Sequence, residues 1–171
     1  SDKVTLQWAF HPAWYGIIFN VTRPPWNDVR LRQAVSMTLD RKKMLEIGLE
    51  GGGVVGMAAQ PPGEWSLPEE EMMKVPGYAK PDVEGARKLV AEAGFAGGLK
   101  TDSLIWALKL QQTLGVLFKD AVAPLGITVN LAEAETAVYL DSLFRKAFVT
   151  SAGSSSIIPS DPDMFLSEKE M

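Results

Sequence analysis

The apolar residues of this chain change period as they go, and that change restricts the fold more than any single motif does. Val4, Leu6 and Trp8 alternate with Thr5, Gln7 and Ala9, so 4–10 reads as a strand. A second strand is expected over 14–21, where Gly16-Ile17-Ile18-Phe19 is apolar enough for burial on both faces. Pro24 and Pro25 stop it, Asn27 or Asp28 can cap a helix, and from 29 to 47 the apolar residues step by three and four. That stretch reads as one helix with Arg41, Lys42 and Lys43 in its second half, on a solvated face, and Gly48 as its C-cap. The period then switches repeatedly. A helix is expected from Pro81 to Gly94 with Val83, Ala86, Leu89, Val90 and Ala93 as its buried stripe, then a strand at 103–107. A helix over 109–125 ends at Pro124 and Gly126; a strand at 127–131, a helix at 134–145 and a short strand at 147–150 come after it. Strands alternating with helices predict an α/β chain with a mixed, partly parallel sheet flanked by helices.

Between the first and second helices lies a Gly- and Pro-rich excursion over 48–81, too long for a plain connector in a compact domain. Trp65 and Tyr78 are candidates to pack it, and Glu69-Glu70-Glu71 reads as a solvated turn or short helix. Gly51, Gly53 and Gly56 satisfy G-x-G-x-x-G, but a helix precedes them where a dinucleotide site needs a strand, so they read as loop. The second small-residue stretch, 151–160, also reads as loop, leading to a turn or cap at Asp161-Pro162-Asp163.

Composition removes several function classes. The 171 residues suit a single domain with a real core. No cysteine is present, which excludes disulfides, thiolate zinc sites and cysteine nucleophiles; the one histidine, His11, reads as a loop residue. A formal charge of −4 without a clustered basic stripe argues against nucleic-acid binding. No apolar run approaches the roughly 18 residues of a membrane span. Serines are plentiful, yet none sits in G-x-S-x-G and no base is linked to one. Neither a metal nor a cofactor is called for, and the chain is not expected to be an enzyme.

One stretch is specific. Phe19-Asn20-Val21-Thr22-Arg23-Pro24-Pro25-Trp26-Asn27-Asp28-Val29-Arg30-Leu31-Arg32-Gln33-Ala34 closely resembles a segment of the extracytoplasmic solute-binding proteins of family 5, the receptors of peptide, nickel and oligosaccharide ABC importers. Leu39-Asp40-Arg41, then Glu92-Ala93-Gly94-Phe95, Leu125-Gly126-Ile127-Thr128-Val129 and Asp161-Pro162-Asp163-Met164-Phe165-Leu166 resemble further pieces of that family, in family order. The resemblance implies one lobe of a type II periplasmic-binding-protein-like fold. Residues 1–171 would be the C-terminal lobe of a two-lobe receptor, with the first lobe, the hinge return and the signal peptide outside this chain. It implies a periplasmic or other extracytoplasmic monomer that delivers a small solute to ABC permease subunits. The solute would be an oligopeptide, a modified peptide or an oligosaccharide.

Peptide-binding members commonly carry a Trp and then an Asp before the D-P-D turn, the Asp pairing with the peptide's amino terminus. Here the matching positions are about Ser155 and Ile158, so that charge-assisted bond has no partner. Ser154, Ser155 and Ser156 are the expected ligand contacts, through hydroxyl and backbone hydrogen bonds, with Tyr139 and Gln60 as further polar candidates. Two other readings compete: a serine hydrolase using these serines with His11 as base, and a stand-alone structural domain derived from such a lobe.

Overall fold

In the computed structural model, which describes residues 13–56 and 66–157, a four-stranded mixed sheet carries six α-helices. The elements run β1 (Ala13–Phe19), α1 (Val29–Thr38), α2 (Arg41–Leu49), α3 (Glu69–Met72), α4 (Val83–Glu92), β2 (Leu99–Trp106), α5 (Lys109–Val122), β3 (Ile127–Ala134), α6 (Thr136–Phe144) and β4 (Thr150–Ile157). The sheet order is β1-β4-β2-β3, with β4, β2 and β3 parallel and β1 antiparallel to β4. The strand expected at 4–10 lies outside the described residues, as do His11, Gln60, Trp65 and the Asp161-Pro162-Asp163 turn.

Alternation along β2 divides the sheet into two faces. Thr101, Ser103 and Ile105 are buried, and Ile105 presses on Gly115 of α5. Against this face α1, α4 and α5 bury Leu31, Ala34, Val35, Ala86, Val90, Phe118 and Val122 in one cluster with Ile127 and Val129 of β3. Trp26 closes it: its indole Nε1 donates to Thr101 Oγ1 at 3.0 Å, and its ring tilts against Phe19 at 4.8 Å. On the opposite face, Lys100 and Asp102 of β2 and Thr128, Asn130 and Ala132 of β3 are exposed, and Asn130 donates to Asp102 at 3.0 Å.

Several expectations meet corrections here. The helix expected at 29–47 is two helices. Leu39 is extended and Asp40 caps α2 by accepting from the Lys43 amide. Arg41, Lys42 and Lys43 therefore open α2 instead of closing a longer helix. Only Lys42 and Lys43 are solvated; Arg41 is half-buried, donating to Ser36, Leu39 and Gly77 carbonyls and lying 3.7 Å from the Tyr78 ring centroid. Burial lowers its guanidinium from the ordinary value, with Tyr78 opposing. The excursion locks onto this break. Gly77 sits so close to α1 that a Cβ there would collide with the Met37 backbone, and Asp82 N donates to Met37 O at 2.8 Å. Gly48 does not end α2; it faces Leu114 of α5, and the left-handed cap is Glu50. Helix α4 is capped by Asp82, one residue after Pro81. Among the described strands β1 is an edge strand, so its Ile17, Ile18 and Phe19 are half-buried and not enclosed on both faces.

The largest correction concerns 151–160. Thr150–Ile157 is strand β4, and it occupies the interior of the sheet. Small residues are required there because the space is taken. Ser151 and Ala152 are buried, and Gly153 (φ +73°) packs so tightly on α5 that a Cβ would meet Gln111 O at 2.9 Å. Gly153 is also the extra residue of a bulge, since Gly16 pairs with Ser154 while Ile17 pairs with Ala152.

Candidate functional site: the carboxyl edge of the sheet

The connections turn in opposite directions at β2. The α5 crossover carries the chain from β2 outward to β3, and the α6 crossover brings it back past β2 to β4. Crossovers of one hand then place α5 and α6 on opposite faces, which makes the carboxyl ends of β2 and β4 a topological switch point. In open α/β sheets ligands bind at such a switch point.

The residues at this edge are aromatic, hydroxyl-bearing and small. Trp106, the last residue of β2, is half-buried on the α6 face. Tyr139 of α6 stacks on its indole, with ring centroids 5.3 Å apart and planes 13° apart, and Trp106 Nε1 donates to Thr136 Oγ1 at 3.0 Å. The Tyr139 hydroxyl and Ser151 Oγ share a hydrogen bond of 3.0 Å. Beside them β4 runs out through Ser154, Ser155 and Ser156, paired with Gly16, Tyr15 and Trp14 of β1. Trp14 lies over Gly16, where a Cβ would run into its ring. Its Nε1 is buried and finds no acceptor among the described residues, an orphan donor there of a kind that costs about 1–3 kcal/mol.

Charge is sparse on the first turn beyond the edge. The Glu133 carboxylate accepts from Gln112 Nε2 at 2.8 Å, while Lys109 and Glu135 face solvent. The most perturbed carboxyl lies elsewhere. Hydrogen bonds from the Arg30 side chain and amide hold Asp28, the α1 cap, below the ordinary carboxylate range. Arg30 is raised in turn and also donates to Glu92 O at 2.7 Å, joining α1 to the end of α4. Asn20 is buried at 5% exposure, and its Nδ2 donates to the Lys146 and Phe148 carbonyls, tying the end of β1 to the turn before β4. Asn20, Asp28 and Arg30 thus position elements of the fold.

Of the residues named from sequence, Ser154, Ser155, Ser156 and Tyr139 fall together at this edge, the serines as strand backbone rather than loop. Tyr139 is buried at 2% exposure, beneath Trp106 and not at the surface. Gln60, and His11 of the hydrolase alternative, lie outside the described residues. Trp106 is not among the site residues read from the sequence, where it falls within the strand expected at 103–107. The available signal was its place at the end of a strand just before a helix. Among the described residues no three His, Asp or Glu side chains converge as a metal site, and no helix is long and apolar enough to cross a membrane.

Known proteins share this fold. The model of the bacterial extracellular solute-binding proteins, family 5 Middle, matches residues 3–169. The periplasmic oligopeptide-binding protein OppA of Salmonella typhimurium is 33% identical over 144 residues, 78% of this chain and 25% of that protein. The di/tripeptide-binding protein 1 of Pseudomonas aeruginosa is 27% identical over 131 residues, 72% of this chain and 23% of its own length. The chain thus spans about a quarter of these relatives. The dipeptide-binding protein of Pseudoalteromonas sp. SM9913, solved with Met-Leu, superposes with a TM-score of 0.77 over 91% of this chain and 31% of that one, at 23% identity. The fold is that of type II periplasmic binding proteins. With its profile matched over nearly the whole length, the chain belongs to the bacterial extracellular solute-binding proteins of family 5.

Proposed function

We propose that residues 1–171 form the C-terminal lobe of a two-lobe extracytoplasmic receptor that closes on a peptide-like or other polar solute and presents it to the permease of an ABC importer. The observation that carries this reading is the switch-point edge itself: an aromatic, serine-rich edge at the carboxyl ends of β2 and β4, in a chain of this family. Relatives named for di- and tripeptides and for oligopeptides support a peptide-like solute, and a periplasmic relative supports an extracytoplasmic site of action. Ser154, Ser155 and Ser156 would contact the solute, with Gln60 as a further polar group and Tyr139 in support. Since Ser155 and Ile158 stand where peptide binders carry Trp and Asp, the receptor would not hold a free peptide amino terminus by the usual ion pair.

Affinity in hinge proteins comes from closure of both lobes. The isolated 171-residue segment is therefore expected to give no heat of binding with di- to pentapeptides in calorimetry, while the full-length receptor binds. The deciding experiment is a closed structure of the full-length protein with the solute that copurifies with it. A solute touching the edge of β2 and β4 is expected. A strictly required free amino terminus held by this lobe overturns the ligand reading, and hydrolysis abolished by His11→Ala overturns the receptor reading.

A further inference from the structure

We infer that Trp106 is a stacking platform for a flat ring of the solute, so that the receptor selects solutes carrying an aromatic side chain or a sugar ring. This rests on the receptor reading and deepens it. Along the α6 face of β2 the side chains run Lys100, Asp102, Leu104, Trp106: exposed polar groups first, then apolar ones at the carboxyl end, the switch-point edge. The indole is held from two sides. Tyr139 backs one face at 5.3 Å, and Thr136 Oγ1 takes its one polar hydrogen at 3.0 Å. Tyr139 is itself fixed, buried and bonded to Ser151 Oγ. Trp106 is nevertheless only partly buried as a residue. With its N–H committed, it offers the solute only an apolar π-face, which favours a ring laid flat or edge-on over a hydrogen-bonding group. Because its orientation is already set, little side-chain freedom is lost on binding. Tyr139 and Thr136 act through Trp106 as positioning residues.

The test uses the full-length receptor and three probes: Ala-Phe-Ala, Ala-Ala-Ala and cellotriose, titrated by calorimetry. Wild type is expected to bind Ala-Phe-Ala or cellotriose at least roughly tenfold more tightly than Ala-Ala-Ala. Whichever ring-bearing probe binds identifies the source of the ring. Trp106→Leu should remove that preference and leave Ala-Ala-Ala within about twofold of wild type. Trp106→Phe, which keeps a ring, should retain most of the preference, and matching thermal melts show that both variants fold. Equal wild-type affinities for ring-bearing and ring-free probes overturn the platform and leave the receptor reading intact. So does a loss in Trp106→Leu that is the same for all bound probes. Wild type that binds none of the three overturns the platform together with the peptide-or-saccharide solute class.

Discussion

The two faces of the sheet are built on different terms. The face under α1, α4 and α5 holds Trp26, Leu31, Ala34 and Phe118 at 0% exposure, with the Trp26 N–H paired to Thr101. The other face has α6 alone among the described helices. There Val138 and Phe144 are 59% and 83% exposed, Trp106 is half-buried, and the Trp14 N–H is unpaired among the described residues. The difference teaches where stability resides. Close packing on one face sets the free energy of folding, and the other face can leave aromatic surface exposed because the fold does not depend on covering it.

Four experiments would break or sharpen this contrast. The largest effect is expected at Phe118. Phe118→Ala should cost about 3–5 kcal/mol in urea unfolding, whereas Phe144→Ala on α6 should stay within about 0.5 kcal/mol. Comparable losses at the two sites would erase the distinction. Gly153→Ala comes next. It combines a left-handed backbone with a Cβ against the Gln111 carbonyl, and should cost about 2–4 kcal/mol by the same measurement. A neutral result would mean that β4 does not lie hard against α5. The paired and unpaired indoles give a smaller contrast. Trp26→Phe strands Thr101 and should lose about 1–3 kcal/mol. Trp14→Phe removes a buried donor that has no acceptor among the described residues, so relief offsets lost packing and the melt should move little.

The smallest effect is at the surface. Asp28→Asn keeps a capping oxygen for α1 but removes the charge beside Arg30. Because the folded Asp28 carboxyl is held below its ordinary value of 3.8, its contribution is present above the unfolded pKa and is lost as pH falls through the folded one. The wild-type advantage over Asp28→Asn in thermal melts should therefore hold at neutral pH and fade in the acid range below pH ~4. An advantage that grows on acidification would reverse the assigned direction.

How much of this was legible beforehand depended on what each segment asks of its neighbours. The α4 stripe and the α1 cap are local patterns: the stripe stands in the structure as read, and of the two cap candidates, Asn27 and Asp28, Asp28 takes the place. So does the end of α5, where a short 3₁₀ turn at Ala123–Leu125 leads into the Gly126 cap. The α1–α2 break was missed because Thr38 and Leu39 continue the helical period. The evidence for it lies forty residues on, where residue 77 packs against Met37 and Arg41 gathers carbonyls from both segments. Trp106 was missed as a site because an indole in a strand pattern reads as packing until its neighbours are known.

The family and the alternating architecture were determined by the sequence alone, since both rest on motifs and periods carried within single segments. Only the tertiary structure decided that Thr150–Ile157 is an interior strand, that Tyr139 is buried and that Trp106 stacks on it at the end of β2. The physical reason is that burial of small and polar residues is fixed by partners far along the chain. Asp102 O accepts from Thr150, Ser103 Oγ accepts from the Ala152 amide, and Gln111 leaves room for nothing larger than Gly153.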